Sequence, residues 1–424
     1  MIYNGSSYNE NWKISKLAEL GTFARGVSKH RPRNDPKLFE NGKYPLVQTG
    51  DVKEATLYLS KHEQEYGDFG LKQSKLWNTG TLCITIAANI AETAILAYPM
   101  CFPDSIVGFS AYPEKSSEEF MYYIFEYIKK SIQNAATGSI QDNINLEYLM
   151  SLDFKIPEKK YQDMIVLILS SIDRKILINN AINDNLEQQA KLLYDYWFTQ
   201  FDFPDENGEP YRSSGGKMVW NEQLKRTIPD GWTTNPLSDI FTFKSGYSFS
   251  SDLYEVSGKY KLLTIKNVQN NGINLNVDNY INVLPDNVPD YCLLKAQDIL
   301  MSLTGNVGRV GIMYADNCLL NQRVALAEPV NINQRVFVYF LLKSDIIHKQ
   351  YEMIANGSSQ QNLSPIEAEK VIIAYNPEVA TKFSTLCNEY LNTIVSNLAE
   401  NQELINIRDW LLPILMNGQA TISD

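Results

Sequence analysis

The sequence predicts an α+β protein with a pseudo-twofold internal repeat: two similar mixed α/β domains and two long helices that pair as a coiled coil. Three observations predict this fold class: segments that recur at a nearly constant interval, short β-branched and aromatic runs in each half, and two long glycine-free stretches with a seven-residue pattern. At 424 residues the chain is long enough for two or three domains with buried cores.

The repeat is clearest where each half begins. "NWKISKLAELGTFARG" (11–26) matches "GWTTNPLSDIFTFKSG" (231–246). Further along, "TGTLCITIAANIA" (79–91) resembles "AQDILMSLTGNVG" (296–308), and "TGSIQDNI" (137–144) resembles "NGSSQQNL" (356–363). The intervals all fall between 216 and 220 residues. One match is weak, but a series at one interval indicates a duplicated unit.

The order of elements follows from this repeat. Runs such as "TLCITIA" and "DILMSL" are typical of short strands, and one apolar helical stretch follows them in each half. We therefore expect mixed α+β domains. The expected boundaries are a first domain at 1–155, a central helix at 156–200, a joint with a small hairpin at 201–231, a second domain at 232–375, and a C-terminal helix at 376–424.

The two long segments carry a heptad pattern. In the first, the row is Ile165, Ile172, Asn179, Leu186 and Leu193, with Ile168, Ile182 and Tyr196 as companions; in the second it is Phe383, Tyr390, Asn397, Leu404 and Leu411, with Leu386, Ile407 and Ile414. Asn179 and Asn397 share one heptad position. A buried polar residue there penalises wrong registers, so we expect both to fix the helix register. The alternative is that each helix packs only on its own domain.

Composition narrows the class of protein. The formal charge is −11, concentrated in the second half, which by itself argues weakly against nucleic-acid binding. No apolar run approaches the length of a membrane helix and the first residues do not resemble a signal peptide, so we expect a cytoplasmic protein. The scattered cysteines and histidines predict neither a disulfide framework nor a metal site, and no motif calls for a cofactor.

Catalytic motifs are not found. "GTFARGVS" has Val27 where a phosphate-binding loop needs lysine, and "GNVGRVG" (305–311) lacks the glycine spacing of a dinucleotide site. The Asn-Pro-Pro-aromatic motif of amino-methyltransferases and the nucleophile elbow of hydrolases are also missing from the sequence. We expect a non-catalytic protein. An enzyme with unrecognised motifs and a scaffold that binds only proteins remain the alternatives.

The loop "RGVSKHRPRNDPK" (25–37) is the strongest binding signal because it gathers six basic side chains, counting His30. Guanidinium groups bind phosphate oxygens or the O6 and N7 of guanine, and an asparagine can read adenine. The alternative is a solvated surface loop. The equivalent loop in the second half, "KSGYSFSSDLYE" (244–255), is aromatic and rich in hydroxyls. Similar scaffolds with different loops suit two domains that read different base sequences.

The whole chain resembles the specificity subunit (HsdS) of type I restriction–modification systems. The most specific parts are "LLYDYWFTQFDFPDENGEPYRSSGGKMVWNEQLKRTIPDGW" (192–232) and "FARGVSKHRPRNDPKLFENGKYPLVQTGDV" (23–52). The resemblance implies two target-recognition domains, each binding one half of an asymmetric, interrupted DNA site. It also implies two long antiparallel helices that hold the domains apart and dock methyltransferase (M) subunits, with adenine methylation and cleavage performed by the M and restriction (R) subunits.

We therefore expect double-stranded DNA, two M subunits and R subunits as partners, and no cofactor or metal in this chain. The candidate DNA-binding residues are Lys29, Arg31, Arg33, Asn34, Gln48, Asn89, Gln141, Asn143, Lys244, Tyr247, Lys266, Asn267, Asn306, Arg309, Gln360 and Gln361. The recognition loops are the variable part of this family, so the resemblance does not supply the target sequence.

Overall fold

The computed structural model describes residues 3–137, 146–355 and 361–420. The chain forms two compact units, one comprising Met1–Ile178 with Asn401–Asp424 and the other comprising Asn179–Glu400. Each unit contains one copy of the repeat together with segments of both long helices.

The first unit contains the following elements. Its strands are β1 (Lys13–Lys16), β2 (Gly21–Arg25), β3 (Tyr44–Leu46), β4 (Tyr58–Leu59), β5 (Gln64–Tyr66), β6 (Leu76–Trp77), β7 (Leu82–Thr85), β8 (Thr93–Leu96), β9 (Met100–Cys101), β10 (Ile106–Ala111) and β11 (Asp153–Ile156). Its helices are α1 (Thr49–Glu54), α2 (Asp68–Lys72), α3 (Glu118–Thr137), α4 (Leu146–Ser151) and the first half of α5 (Lys159–Tyr194).

The strands of the first unit form a mixed arrangement. The larger sheet has the order β2-β10-β7-β8-β4 and the smaller has the order β5-β3-β9-β6. Most neighbours are antiparallel, but β4 pairs with β8 and β3 pairs with β9 in parallel. Helix α3 packs on the larger sheet, where Phe109, Tyr123 and Phe125 are fully buried. These side chains come from the apolar runs that the sequence analysis assigned to strands and to the helix.

The second unit repeats this plan. Its strands are β12 (Met218–Asn221), β13 (Arg226–Pro229), β14 (Thr233–Pro236), β15 (Phe241–Ser245), β16 (Tyr260–Leu263), β17 (Val268–Gln269), β18 (Gly272–Ile273), β19 (Tyr280–Ile281), β20 (Leu293–Leu294), β21 (Ile299–Ser302), β22 (Val310–Ile312), β23 (Cys318–Leu320), β24 (Val324–Pro329) and β25 (Ile372–Tyr375). Its helices are α6 (Arg335–Leu342), α7 (Asp345–Ile354), α8 (Pro365–Glu369) and α9 (Pro377–Met416), which continues into the first unit.

Two sheets again form the body of the second unit. Their orders are β15-β24-β21-β22 and β19-β16-β23-β20, with β16 and β23 parallel. Helix α6 is buried along almost its whole length, and Phe337 and Phe383 lie in the main core. Both units are therefore mixed α/β domains built on one plan, which confirms the fold class predicted from the repeat.

Paired strands begin and end the globular part of each unit. In the first, β1 pairs antiparallel with β11, so Lys13 lies opposite Ile156. In the second, β14 pairs antiparallel with β25, so Thr233 lies opposite Tyr375. Each pair leads directly into a long helix, α5 after β11 and α9 after β25.

The segment between α5 and β14 turns twice before the second domain begins. Helix α5 continues as a π-helical turn (Asp195–Thr199), and β12 and β13 form a hairpin. Gly208 and Gly215 have left-handed backbones, with φ of +83° and +90°, where a side chain would be strained. Trp232 is buried against Phe198 and the segment that follows Phe198. The ring centroids of Trp232 and Phe198 lie 6.1 Å apart.

The helices α5 and α9 confirm one heptad row and correct the other. The row through Ile165 and Asn179 faces inward, as predicted. The predicted companion row is wrong at three of its six positions: Ile182 is 41% exposed, and Leu386 and Ile407 are exposed as well. The buried companions are Leu169, Ile176, Asn183 and Ala190 in α5, and Ala380, Cys387, Ile394 and Leu415 in α9. They lie four residues beyond the first row, because heptad rows alternate between spacings of three and four.

Of the helices in the described ranges, none combines the length and apolarity that a membrane span requires.

Candidate nucleic-acid interface

Several loops of the first unit leave one end of its larger sheet. Because neighbouring strands are antiparallel there, the end of one lies beside the start of the next. Val107 pairs with Arg25, and Ile106 pairs with Thr85. We call three of these loops the first loop face: 26–35, 86–92 and 102–105.

The second unit has an equivalent surface. Ala325 pairs with Ser245, and Val324 pairs with Ser302, so the end of β15, the start of β24 and the end of β21 meet. We call three of the loops that leave there the second loop face: 246–255, 303–309 and 321–323.

One loop of each face is the same structure in both units. In the first, the amide of Ala91 donates to the carbonyl of Thr85 over 2.9 Å; in the second, Gly308 donates to Ser302 over 3.0 Å. The hydroxyls of Thr85 and Ser302 accept equivalent backbone bonds, from Glu92 and Arg309. Ala88 and Ala91 have positive φ, as do Gly305 and Gly308. The repeat therefore extends to individual hydrogen bonds.

The predicted basic residues lie in the first loop face. The Arg33 Nη2 atom lies 2.6 Å from a carboxylate oxygen of Asp104, and Arg31 Nη2 lies 3.9 Å from the other oxygen. The Nη1 group of Arg31 also donates to the carbonyls of Ser28 and His30, over 2.6 and 2.8 Å. The structure thus brings both arginines to one carboxylate on the neighbouring turn.

The same loop is fixed by its own polar contacts. Asp35 lies 2.8 Å from His30 and accepts a backbone hydrogen bond from Lys37. The hydrogen bond with His30, followed by the bond with Lys37, lowers the pKa of Asp35. Lys29 and Asn34 are exposed on this ordered loop. The loop therefore presents its cations from a defined backbone.

Asn89 lies in loop 86–92, where its side-chain oxygen accepts from Lys53 over 3.4 Å. Gln48 precedes α1, and its backbone amide donates to Asp51 over 2.7 Å. The contact with Asn89 places Lys53, a cation that the sequence analysis did not select, beside the first loop face.

In the second unit, Tyr247 lies in loop 246–255. Its hydroxyl donates to Asn287 over 2.9 Å, and its carbonyl accepts from the amide of Gln322 over 3.0 Å. Lys244 lies on β15, where it forms an ion pair with Glu328 over 2.5 Å. Tyr247 therefore belongs to the second loop face, and Lys244 is paired on the sheet.

Asn306 and Arg309 lie together in loop 303–309, with the Arg309 guanidinium nitrogens 3.1 Å from the Asn306 amide. The amide of Gly305 donates to the carbonyl of Gln361 over 2.9 Å. Three predicted residues are thus neighbours at the second loop face, although Gln361 is more than fifty positions later in the sequence.

Lys266 and Asn267 are engaged within their own segment. Lys266 forms an exposed ion pair with Asp278 over 2.8 Å. The Asn267 side chain is buried, donates to the carbonyls of Asn274 and Asn276, and accepts from the amide of Thr264. Asn267 therefore supports the loop structure, and its amide is unavailable to bases in this arrangement.

The remaining candidates are placed as follows. Gln141, Asn143 and Gln360 lie outside the described residues. Asn179 donates to Glu400 over 2.7 Å, and Asn397 donates to Asn183 over 2.8 Å, so both asparagines bond across the helix pair in the second unit. No three metal-binding side chains come together among the described residues.

The sequence analysis did not select Asp104 or Arg323. Both lie in the short turns that precede β10 and β24. Each is a single charged residue in a short turn, so the local sequence pattern gave no signal. An alignment of the two halves through β10 and β24 would have found them, because it places these turns at equivalent positions.

Comparison with known proteins places the chain in a family. The family model for the type I restriction modification DNA specificity domain matches residues 9–188 and 229–375. The MjaIX specificity subunit of a type I restriction enzyme from Methanocaldococcus jannaschii is 24% identical, over 98% of this chain and 95% of that protein. The HindI specificity subunit of Haemophilus influenzae is 25% identical, over 69% of this chain and 74% of that protein.

A solved structure has the same fold. The S subunit of a type I restriction–modification system from M. genitalium superposes with a TM-score of 0.57 at 19% identity, over the full length of both chains. The family model matches each copy of the repeat separately, and the two loop faces lie within the matched ranges. The chain therefore belongs to the type I restriction–modification DNA specificity family.

Proposed function

We propose that each loop face reads one half of an interrupted, asymmetric DNA site, and that the chain itself is non-catalytic. The observation that carries the proposal is the pair of equivalent loop faces with different side chains. Their loops 86–92 and 303–309 share backbone hydrogen bonds, whereas 26–35 is basic and 246–255 is aromatic and hydroxyl-rich. A shared scaffold with different side chains suits the reading of two different base sequences.

The local charge of the first loop face supports DNA binding despite the overall charge of −11. Lys29, Arg31 and Arg33 are exposed there, with Lys53 nearby and Asp104 as the acidic partner of the two arginines. Positive charge at a surface attracts phosphates regardless of the net charge of the chain. Because the chain is acidic overall, we expect the assembled complex to bind DNA more tightly than this subunit alone.

The long helices supply the proposed contacts with other subunits. They leave large apolar side chains exposed, among them Leu167, Leu192 and Leu386. Exposed apolar side chains of this size are common where a partner protein packs. We propose that two methyltransferase subunits dock on the helices, that restriction subunits join them, and that adenine methylation or cleavage takes place in those partners.

The first experiment is to map methylated adenines in the source genome with the gene intact and with it deleted. We expect one interrupted, asymmetric motif to disappear on deletion and to return on complementation. The proposal would be contradicted if deletion left the methylation pattern unchanged although the complex assembles when the gene is intact. It would also be contradicted if the complex bound DNA without sequence preference.

A second experiment tests the first loop face. Replacing Lys29, Arg31 and Arg33 with alanine should weaken DNA binding and lower the salt slope by about 0.9 for each phosphate contact that is lost. A control that replaces Lys217 and Lys225, which are exposed in the segment before β14, should keep the slope. An unchanged slope in the triple variant would remove loop 26–35 from the interface.

A further inference from the structure

We propose that Arg33, held in place by Asp104, reads a guanine in the half-site bound by the first loop face, and that Arg323 reads a guanine in the other half-site. The inference rests on the proposed function, because it assigns specificity-determining residues to the two loop faces. It makes the short turns 102–105 and 321–323 part of the recognition surface.

The two arginines beside Asp104 differ in the hydrogen-bond donors that they have left. Arg31 uses Nη1 for two backbone carbonyls, at Ser28 and His30, so its Nη1–Nη2 fork is committed to the protein. Within the residues that the structure describes, Arg33 forms one hydrogen bond, with Asp104, and four of its five N–H groups remain for a ligand. Arg33 is therefore the reader, and Arg31 supports the loop.

Asp104 is well placed to orient Arg33. The loop and the turn that carry them are joined by backbone hydrogen bonds, from Gly26 to Ile106 over 2.8 Å and from Val27 to Phe102 over 3.1 Å. The carboxylate therefore has a fixed position relative to the loop. A guanidinium held by a carboxylate loses fewer rotamers on binding a base, so less entropy opposes the contact. The ion pair is about half exposed and contributes little to folding stability.

The turn in the second unit is structurally equivalent. The amide of Ile86 donates to the carbonyl of Ser105 over 3.0 Å, and the amide of Leu303 donates to the carbonyl of Arg323 over 3.0 Å. Ser105 and Arg323 therefore occupy the same position of the repeat. The acidic residue of the first turn is replaced by Gln322 in the second.

The charges of one loop and one turn are thus exchanged between the two faces. In the first, loop 26–35 carries three exposed cations beside Asp35, and the turn carries Asp104; in the second, loop 246–255 carries Asp252 and Glu255, and the turn carries Arg323. Arg323 is exposed and has φ +73°, a backbone conformation that a long side chain rarely adopts. In the part of the chain that the structure describes, no residue is hydrogen-bonded to its guanidinium.

Guanine is the base that fits a free guanidinium fork. Its major-groove edge presents O6 and N7, two acceptors at the spacing of two arginine N–H groups. A lysine keeps the charge but loses the planar fork, so phosphate binding and base reading can be separated by substitution. This distinction determines the test.

The experiment uses the chain assembled with its methyltransferase partners and a set of DNA duplexes in which each base pair of the mapped motif is changed singly. Arg33→Lys should lower the preference for guanine at one position of one half-site by about 5- to 150-fold. Arg323→Lys should do the same in the other half-site and leave the first unchanged. For each variant, the half-site that stays unchanged is therefore the control for folding and assembly.

Asp104→Asn separates orientation from a general structural role. We expect it to reduce discrimination at the Arg33 position by about 2- to 12-fold, because the guanidinium is no longer held. Affinity for non-target DNA should stay the same or rise, because an anion near the phosphates is removed. A merely structural residue would lower affinity and discrimination together. Lys29→Ala is the matched loop control and should weaken all duplexes equally.

The outcomes are distinguishable. If the wild-type complex binds all duplexes equally, the proposed function fails. If the wild-type complex is specific but Arg33→Lys and Arg323→Lys leave every base preference unchanged, or both change the same half-site, the inference fails and the proposed function stands. A motif without guanine in either half would also overturn the inference.

Discussion

Removing the guanidinium of Arg408 should be among the most destabilising single changes in the first unit. Its Nη1 group lies 2.9 Å from Asp173, and the Tyr123 hydroxyl donates to the other carboxylate oxygen over 2.7 Å. Asp173 is only 2% exposed, so Arg408→Met leaves a buried carboxylate without its cation. Breaking such a pair costs about 3–5 kcal/mol.

The same network predicts a graded series. Burial raises the pKa of Tyr123, and the neighbouring Asp173 raises it further, so the phenol remains a hydrogen-bond donor at working pH. Burial alone would lower the pKa of Arg408, but the neighbouring carboxylates of Asp173 and Asp409 together raise it. Tyr123→Phe removes one hydrogen bond to a charged group, at about 1.5–3 kcal/mol. Replacing all three by Phe, Leu and Met should cost less than Arg408→Met, because no buried charge remains.

Hydrogen exchange read by mass spectrometry can resolve the effect on each unit. Arg408→Met should reduce protection in α3 and in residues 159–178, and leave the second unit unchanged. Lys343→Met is the matched control, because Lys343 pairs with Glu187 in the second unit. A loss of less than about 1 kcal/mol in the first unit, or a triple variant as unstable as the single one, would refute the reasoning.

Two further predictions concern the backbone and the helix pair. Ala91 has φ +60°, whereas glycine occupies the equivalent position 308 with φ +79°, where a Cβ would lie 3.1 Å from His348. Ala91→Gly should therefore stabilise the first unit by about 0.5–1 kcal/mol and Gly308→Ala should destabilise the second by about 1–2 kcal/mol, as thermal melts would show. Among the described residues, the Asn183 side-chain nitrogen is buried without a partner, but its oxygen accepts from Asn397. Asn183→Leu alone should therefore lower stability in urea unfolding by about 1 kcal/mol, and Asn183→Leu with Asn397→Leu should restore it. If Asn397 helps to fix the register, Asn183→Leu combined with Asn397→Leu should broaden hydrogen exchange in α5 and α9, and uniform protection would contradict that role.

The sequence predicted the fold better than the site, because the repeat shows the same order of elements in both halves. Asn89 and Asn306 were aligned from sequence alone, and they occupy loops with the same hydrogen bonds. The heptad pattern identified one inward row of α5, through Ile165. It could not fix the second row, because a seven-residue period allows a companion either three or four residues away.

The basic loop was visible in sequence because its cations lie close together, from Lys29 to Arg33. The partner of Arg33 was not visible, because Asp104 lies 71 residues later and only strand pairing brings it close. Arg323 was missed because a single residue in a three-residue turn carries no periodic signal. In both cases the missing information was tertiary: the strand register sets which turns share an end of the sheet.

The paired strands β1–β11 and β14–β25 have a consequence for how new specificities arise. In each unit, the backbone that enters the globular part and the backbone that leaves it are held together as neighbours, about 5 Å apart. The residues between them therefore form a segment that begins and ends at one place, which suits exchange as a single cassette. If each loop face reads one half-site, as proposed, replacing one cassette would change one half of the site and preserve the other. The number of possible specificities would then be the product of the variants available for each half.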